Sequence, residues 1–207
     1  RPPRRTSVVI DIPTARPADL VPLSWLIGVW EGTGVIDYEA DGRTFSGEFA
    51  HRVSFSHDGG DFLNYSARAW LLDGDDRRPL VSETGYWRVP RPATDADAGP
   101  ALLPPTETAP RRTADDVEAL RTAEGGFPLE VSLAHSNGVL ELYLGQVRGP
   151  RIDLASDAVV RTAGAKPYAS ATRIYGLVDD HLLWAWDIAA FGRELASHAS
   201  ARPDRVE

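Results

Sequence analysis

Five histidines, His51, His57, His135, His181 and His198, are the side chains best suited to hold a metal or move a proton near neutral pH. Their spacing defines neither a catalytic triad nor a metal cluster. Cysteine is absent, which excludes disulfides, thiolate ligands and thiol nucleophiles. His57 and His181 fall at turns and read as solvent-exposed. His135 ends a strand beside Ser136-Asn137-Gly138 and reads as a turn cap, while His51 lies in a strand with undetermined facing. His198 differs. Simple alternation puts Ala196, His198 and Ser200 on one face and Leu195, Ser197 and Ala199 on the other. Small neighbours would leave open space before its ring, room in which a histidine is able to meet a ligand. A buried or mouth-lining histidine without chemistry fits the same pattern.

The second candidate is the run Gly28-Val29-Trp30-Glu31-Gly32-Thr33-Gly34. Glycine weakens a strand, so three at even positions call for a sharp bend or a close neighbour. A small barrel closing around a ligand makes both demands; a tightly curved first strand with a buried Trp30 makes them without one. Trp70, Trp87, Trp184 and Trp186 are able to line a ligand pocket, with ordinary barrel core the default for most of them; Trp184 and Trp186 share a strand face and pack against either a cavity or a core. Trp30 is expected to face a cavity, because its glycines leave room beside it. Arg173 and Arg193 are able to pair with a ligand carboxylate, but exposed surface ion pairs are their default reading.

The elements that must position these groups are strands. Residues 1–18 form a Pro- and Arg-rich arm with an apolar patch, Val8-Val9-Ile10, and Asp19 to Leu26 reads as a short helical turn. Ten strands are expected near Val29–Tyr38, Thr44–His57, Asp61–Leu72, Leu80–Val89, Leu129–His135, Val139–Gln146, Arg151–Val160, Tyr168–Val178, His181–Phe191 and Arg193–Arg202. Turns such as Asp41-Gly42, Asp58-Gly59-Gly60, Asp73-Gly74, Asn137-Gly138 and Gly149-Pro150 separate them. Short connections imply antiparallel neighbours in up-and-down order, and closure removes the sheet edges. The expected fold is an all-β barrel of about ten strands, wide enough for a ligand. It occupies residues 19–207 as one domain. A proline-rich insertion near 90–126 interrupts it, read as a mobile loop or a flap over the mouth, with a helical turn near Asp115–Arg121.

Composition narrows the partners. The formal charge is −8 without a basic stripe, so nucleic acid and anionic membranes are poor candidates. No apolar run approaches the roughly 20 residues of a membrane helix, and the N-terminal stretch lacks a signal-peptide core. A cytoplasmic protein with a small-molecule ligand in its barrel is expected, and both a monomer and a homodimer stay open.

The glycine–tryptophan motif followed by an antiparallel barrel resembles the nitrobindin family, whose fold is like that of fatty-acid-binding proteins. Further segments carry the resemblance: the hairpin Ser56 to Tyr65, the strand Glu83-Thr84-Gly85-Tyr86-Trp87-Arg88, Leu133-Ala134-His135-Ser136-Asn137-Gly138 with Glu141-Leu142, and Gly192 to Ala201. They span nearly everything from Leu20 onward, and the Ser56–Asp61 hairpin looks nearest the actinobacterial ferric nitrobindin-like branch. The resemblance implies ferric heme b held through His198, with Lys166 near the heme edge and Gly28, Trp30, Gly32 and Gly34 in the cofactor pocket. It also implies nitric oxide binding or isomerisation of peroxynitrite to nitrate. In that reading the iron carries the chemistry, and a partner on the second nitrogen of His198 sets its tautomer. The segment Tyr38 to Thr44 is longer and more acidic than the family's turn, and Ala199 replaces a motif leucine. A rival from another class is the same barrel holding an apolar ligand such as a fatty acid, without heme. A heme sensor or carrier without turnover is a third.

Overall fold

The computed structural model describes residues 16–207, so most of the expected arm, including Val8-Val9-Ile10, lies outside the described residues. A 3₁₀ helix, Ala18–Leu26, precedes eleven strands: β1 (Gly28–Ala40), β2 (Arg43–Ser56), β3 (Phe62–Asp73), β4 (Asp76–Pro79), β5 (Glu83–Arg88), β6 (Phe127–His135), β7 (Val139–Arg148), β8 (Arg151–Arg161), β9 (Tyr168–Val178), β10 (His181–Ala190) and β11 (Ala196–Arg205). A short helix, α1 (Ala114–Glu118), lies between β5 and β6.

Ten strands close into an antiparallel barrel in the order β1-β2-β3-β5-β6-β7-β8-β9-β10-β11, with β11 returning to β1. The extra strand, β4, pairs only with β3 and extends that hairpin outside the ring. Closure and strand number agree with the reading from turns and alternation.

One end of the barrel is solid. Leu20, Leu23 and Leu26 of the 3₁₀ helix are fully buried there with Trp30, Phe55, Leu63, Trp87 and Val131. Each such side chain contributes about 1.5–3 kcal/mol by leaving water. The glycine row explains how β1 closes against β11. A Cβ at Gly32 would lie 2.6 Å from the Pro203 Cα, and one at Gly34 would lie 2.5 Å from the Phe49 Cζ. The glycines therefore serve close backbone approach at the seam. Trp30 is fully buried in the solid end; its indole N–H donates to the Leu26 carbonyl at 2.8 Å, and the Arg205 guanidinium covers its ring at 4.4 Å. The ring does not face a cavity.

The insertion is fastened to this solid end and does not cover the mouth. Arg112 pairs with the buried Asp19 of the 3₁₀ helix, and Val117 of α1 is buried. Thr113 caps α1 in a reciprocal pair with Asp116.

Candidate functional site

The other half of the barrel is hollow. A cavity of about 570 Å³ opens among Tyr38 of β1, Phe45 and Phe49 of β2, Trp184 and Trp186 of β10, and Phe191 beyond it. Its size and apolar walls with a few convergent polar groups are those of a small-molecule site. A second concavity of about 750 Å³ lies on the outer wall around Val35, Ile174 and Leu183. It contains none of the histidines.

His198 lines the inner cavity because of a bulge. Trp186 pairs with Ala199 and Asp187 with Ser197, so His198 is the extra residue on β11. A bulge re-aims side chains locally. Beyond it Ala199 and Ala201 are buried and Ser200 is exposed, which corrects the simple alternation read from the sequence. The imidazole stands edge-on to Tyr38 at 5.5 Å and to Trp186 at 5.6 Å. Tyr38 is itself pinned: its hydroxyl donates to the Ala190 carbonyl and accepts from the Ala190 N–H. His198 Nδ1 is buried without a hydrogen-bond partner among the described residues, so the expected partner on the second nitrogen is not found there. Burial, then the positive charge of Arg173, lowers the pKa of His198 to about 4. The ring is therefore neutral at pH 7, the form that ligates metals.

Lys166 lies exposed at the rim, also lining the cavity. Gly28, Trp30, Gly32 and Gly34 do not line it. Of the residues singled out from the sequence for cofactor binding, the structure brings together His198 and Lys166 and leaves the other four at the β1–β11 seam.

The sequence reading missed a buried polar cluster in the cavity wall. Arg173, expected at the surface, is 3 % exposed. Its guanidinium donates twice to Glu83, at 2.7 and 2.9 Å, and once to the Tyr143 hydroxyl at 3.0 Å. It also lies 3.9 Å over the Trp186 ring. Burial opposes the Glu83 charge, yet Arg173, with help from His135 and Tyr65, holds that carboxyl at about 2. His135 is not a turn cap: its Nε2 is 2.6 Å from Glu141, whose other oxygen accepts from Tyr143 and Tyr168. The legible signal was parity. Glu83 alternates with Trp87, and Arg173 with Ala171 and Tyr175, all of them inward-facing positions.

His51 also faces the cavity, against Trp184 at 5.1 Å, with its Nδ1 buried and unpartnered. Burial dominates and brings its pKa to about 4; Glu83 opposes this and Arg173 assists. His181 pairs with Asp204 on the outside, and His57 is half-buried.

Residues 19–205 match the model of the THAP4-like, heme-binding beta-barrel domain family. The chain belongs to this nitrobindin-like family. Its relatives include proteins named peroxynitrite isomerase. That of Leifsonia xyli subsp. xyli is 61% identical over 199 residues, covering 96% of this chain and 100% of the relative. That of Clavibacter michiganensis subsp. michiganensis is 59% identical with the same coverage. Among solved structures, Rv2717c from M. tuberculosis superposes with a TM-score of 0.65 at 27% identity, covering 92% of this chain and 98% of the other. No helix among the described residues is long and apolar enough to cross a membrane.

Proposed function

We propose that this nitrobindin-like chain binds heme b in the inner cavity, where His198 would hold the iron and Lys166 would lie near the heme edge, and isomerises peroxynitrite to nitrate. The observation that carries the reading is the bulged His198: a neutral imidazole, its buried Nδ1 without a partner among the described residues, set into a largely apolar cavity. The residues fit the group. Aromatic walls suit a flat macrocycle, and a rim ammonium suits its carboxylates. When bound, ferric heme supplies a coordination position where nitrogen oxides bind and rearrange. The chain's own part is to hold and orient. Tyr38 and Trp186 fix the His198 ring from two sides, burial keeps it unprotonated, and the apolar walls exclude water. The relatives' names support the isomerase reading.

The test is an ultraviolet–visible titration of the apoprotein with hemin, followed by stopped-flow decay of peroxynitrite. A Soret band saturating at one heme per chain, and lost or shifted in His198→Ala, is expected. A flat titration would leave the same cavity to an apolar ligand such as a fatty acid.

A further inference from the structure

Glu83, Glu141, Arg173 and His135 are buried together, with side chains 7, 0, 3 and 4 % exposed, and the proposed holding of heme through His198 uses none of them. They come from β5, β7, β9 and β6, and Glu83, Arg173 and His135 line the cavity. Two carboxylates face one guanidinium. Buried charge is tolerated only when paired, so the cluster is neutral only if it holds one further proton.

The contacts say where that proton sits. Both oxygens of Glu83 are taken by Arg173, with Tyr65 donating to one of them at 2.9 Å. Glu141 Oε1 accepts from the Tyr143 and Tyr168 hydroxyls, each at 2.8 Å. Glu141 Oε2 is left facing His135 Nε2 at 2.6 Å, the length of a charge-assisted bond. The other ring nitrogen, Nδ1, faces Glu83 Oε1 at 3.4 Å. Nδ1 makes no hydrogen bond to that carboxylate, so in the imidazolium form the Nε2–H is spent on Glu141 and the Nδ1–H is the donor left for a ligand in the cavity.

The topology gives this proton a direction. Around the ten-stranded ring β6 is five strands from β11 either way, so His135 comes from the strand opposite His198. The Trp186 ring stands 6.2 Å from one imidazole and 5.6 Å from the other.

We propose that His135, carrying the proton it shares with Glu141, is the cavity-wall group that receives an anionic oxygen ligand, here peroxynitrite or the nitrate formed from it. The proposal rests on the function argued above and adds a residue to it. Isomerisation breaks the O–O bond and forms an N–O bond within one anion, with no net gain or loss of proton or electron. His135 therefore lends a charge-assisted hydrogen bond and its proton is not consumed. An anion entering a water-poor cavity in a chain of net charge −8 needs such a partner.

The experiment has an arm that requires no heme. In apoprotein labelled with ¹⁵N-histidine, both His135 nitrogens are expected to carry hydrogen, and added nitrate is expected to shift their resonances. A single-tautomer neutral ring, or resonances unmoved by nitrate, overturns the proposal. In hemin-loaded protein, His135→Gln is expected to weaken the anion azide about tenfold, the worth of one charge-assisted hydrogen bond, and to leave neutral imidazole within about twofold. Equal losses for both probes would mean a structural role only and would also overturn it. His135→Gln leaves a carboxylate uncompensated; if it fails to fold, the charge-balanced pair His135→Gln with Glu141→Gln is measured instead, with the same two outcomes. Absence of a Soret band would refute the heme reading alone, and the nitrate arm would still decide the role of His135.

Discussion

Replacing Arg173 with Gln tests the electrostatics of the cavity wall quantitatively. The side chain is almost fully buried and supplies two hydrogen bonds to Glu83, one to Tyr143 and a cation–π contact with Trp186. Removing one partner of a buried pair costs about 3–5 kcal/mol, because the other charge is stranded. Glu83 has one escape, which is to take up a proton. At pH 7 that costs about 3 kcal/mol from an ordinary carboxyl value of 4.5, and at pH 5 less than about 1 kcal/mol. Without Arg173, burial raises the Glu83 pKa, so the variant's native state binds the extra proton and the variant gains on the parent as pH falls from 7 toward 4.5. The parent, with Glu83 at about 2, loses that group's contribution only between about 4.5 and 2. The variant should thus be about 3–5 kcal/mol less stable at pH 7, melting about 6–20 °C lower, and the gap should shrink by about 2–3 kcal/mol at pH 5. Urea unfolding of the apoprotein, followed by tryptophan fluorescence at both pH values, measures this. A penalty under about 1 kcal/mol, or a gap that ignores pH, would refute the claim that Arg173 neutralises a buried carboxylate.

Three other perturbations have definite expected outcomes. His51 and His198 are held near 4 when folded against 6.5 otherwise; their contribution is complete above pH 6.5 and is lost as pH falls toward 4, up to about 3 kcal/mol each. A urea midpoint of the apoprotein that stays constant from pH 7 to 4.5 would contradict this, and His51→Phe should flatten the slope. Gly34→Val places atoms where Phe49 and Ala201 already lie and should cost about 2–3 kcal/mol or more; an unchanged melting temperature would show that the β1–β11 seam has slack. Val117→Ala should cost about 1–3 kcal/mol, read by thermal melting, because the insertion packs on the 3₁₀ helix; no change would mean that packing contributes nothing to stability.

The ring of strands was legible because its turns are written locally. Asp41 and Gly42, Gly74, Gly138, Gly149, and Asp179 with Asp180 all take positive φ between consecutive strands, a conformation that these residue types favour. The bulge at His198 was not legible: one extra residue reverses the facing of everything after it while leaving composition unchanged. The polar cluster was hidden for another reason. Glu83 and Arg173 are 90 residues apart, and only a closed barrel with known register brings β5 and β9 side chains together.

The seam glycines and the bulge are two answers to one geometric problem. A closed sheet of this size cannot be filled by its own inward side chains along its whole length. At one end the glycines let β1 press against β11, and the 3₁₀ helix with Trp30 and Trp87 fills what remains. At the other end β11 yields a residue from its ladder, and that residue is His198. Between the two, Tyr65 and Tyr175 pack on Trp87 below and line the cavity above. Their hydroxyls meet Glu83 and Arg173, so an apolar core ends in a hydrogen-bonded polar layer before the hollow begins. A cavity floored by apolar side chains alone would present an anion with nothing but a desolvation cost. This floor presents a charge-balanced network holding a proton, and that is the physical basis for assigning it a part in ligand recognition.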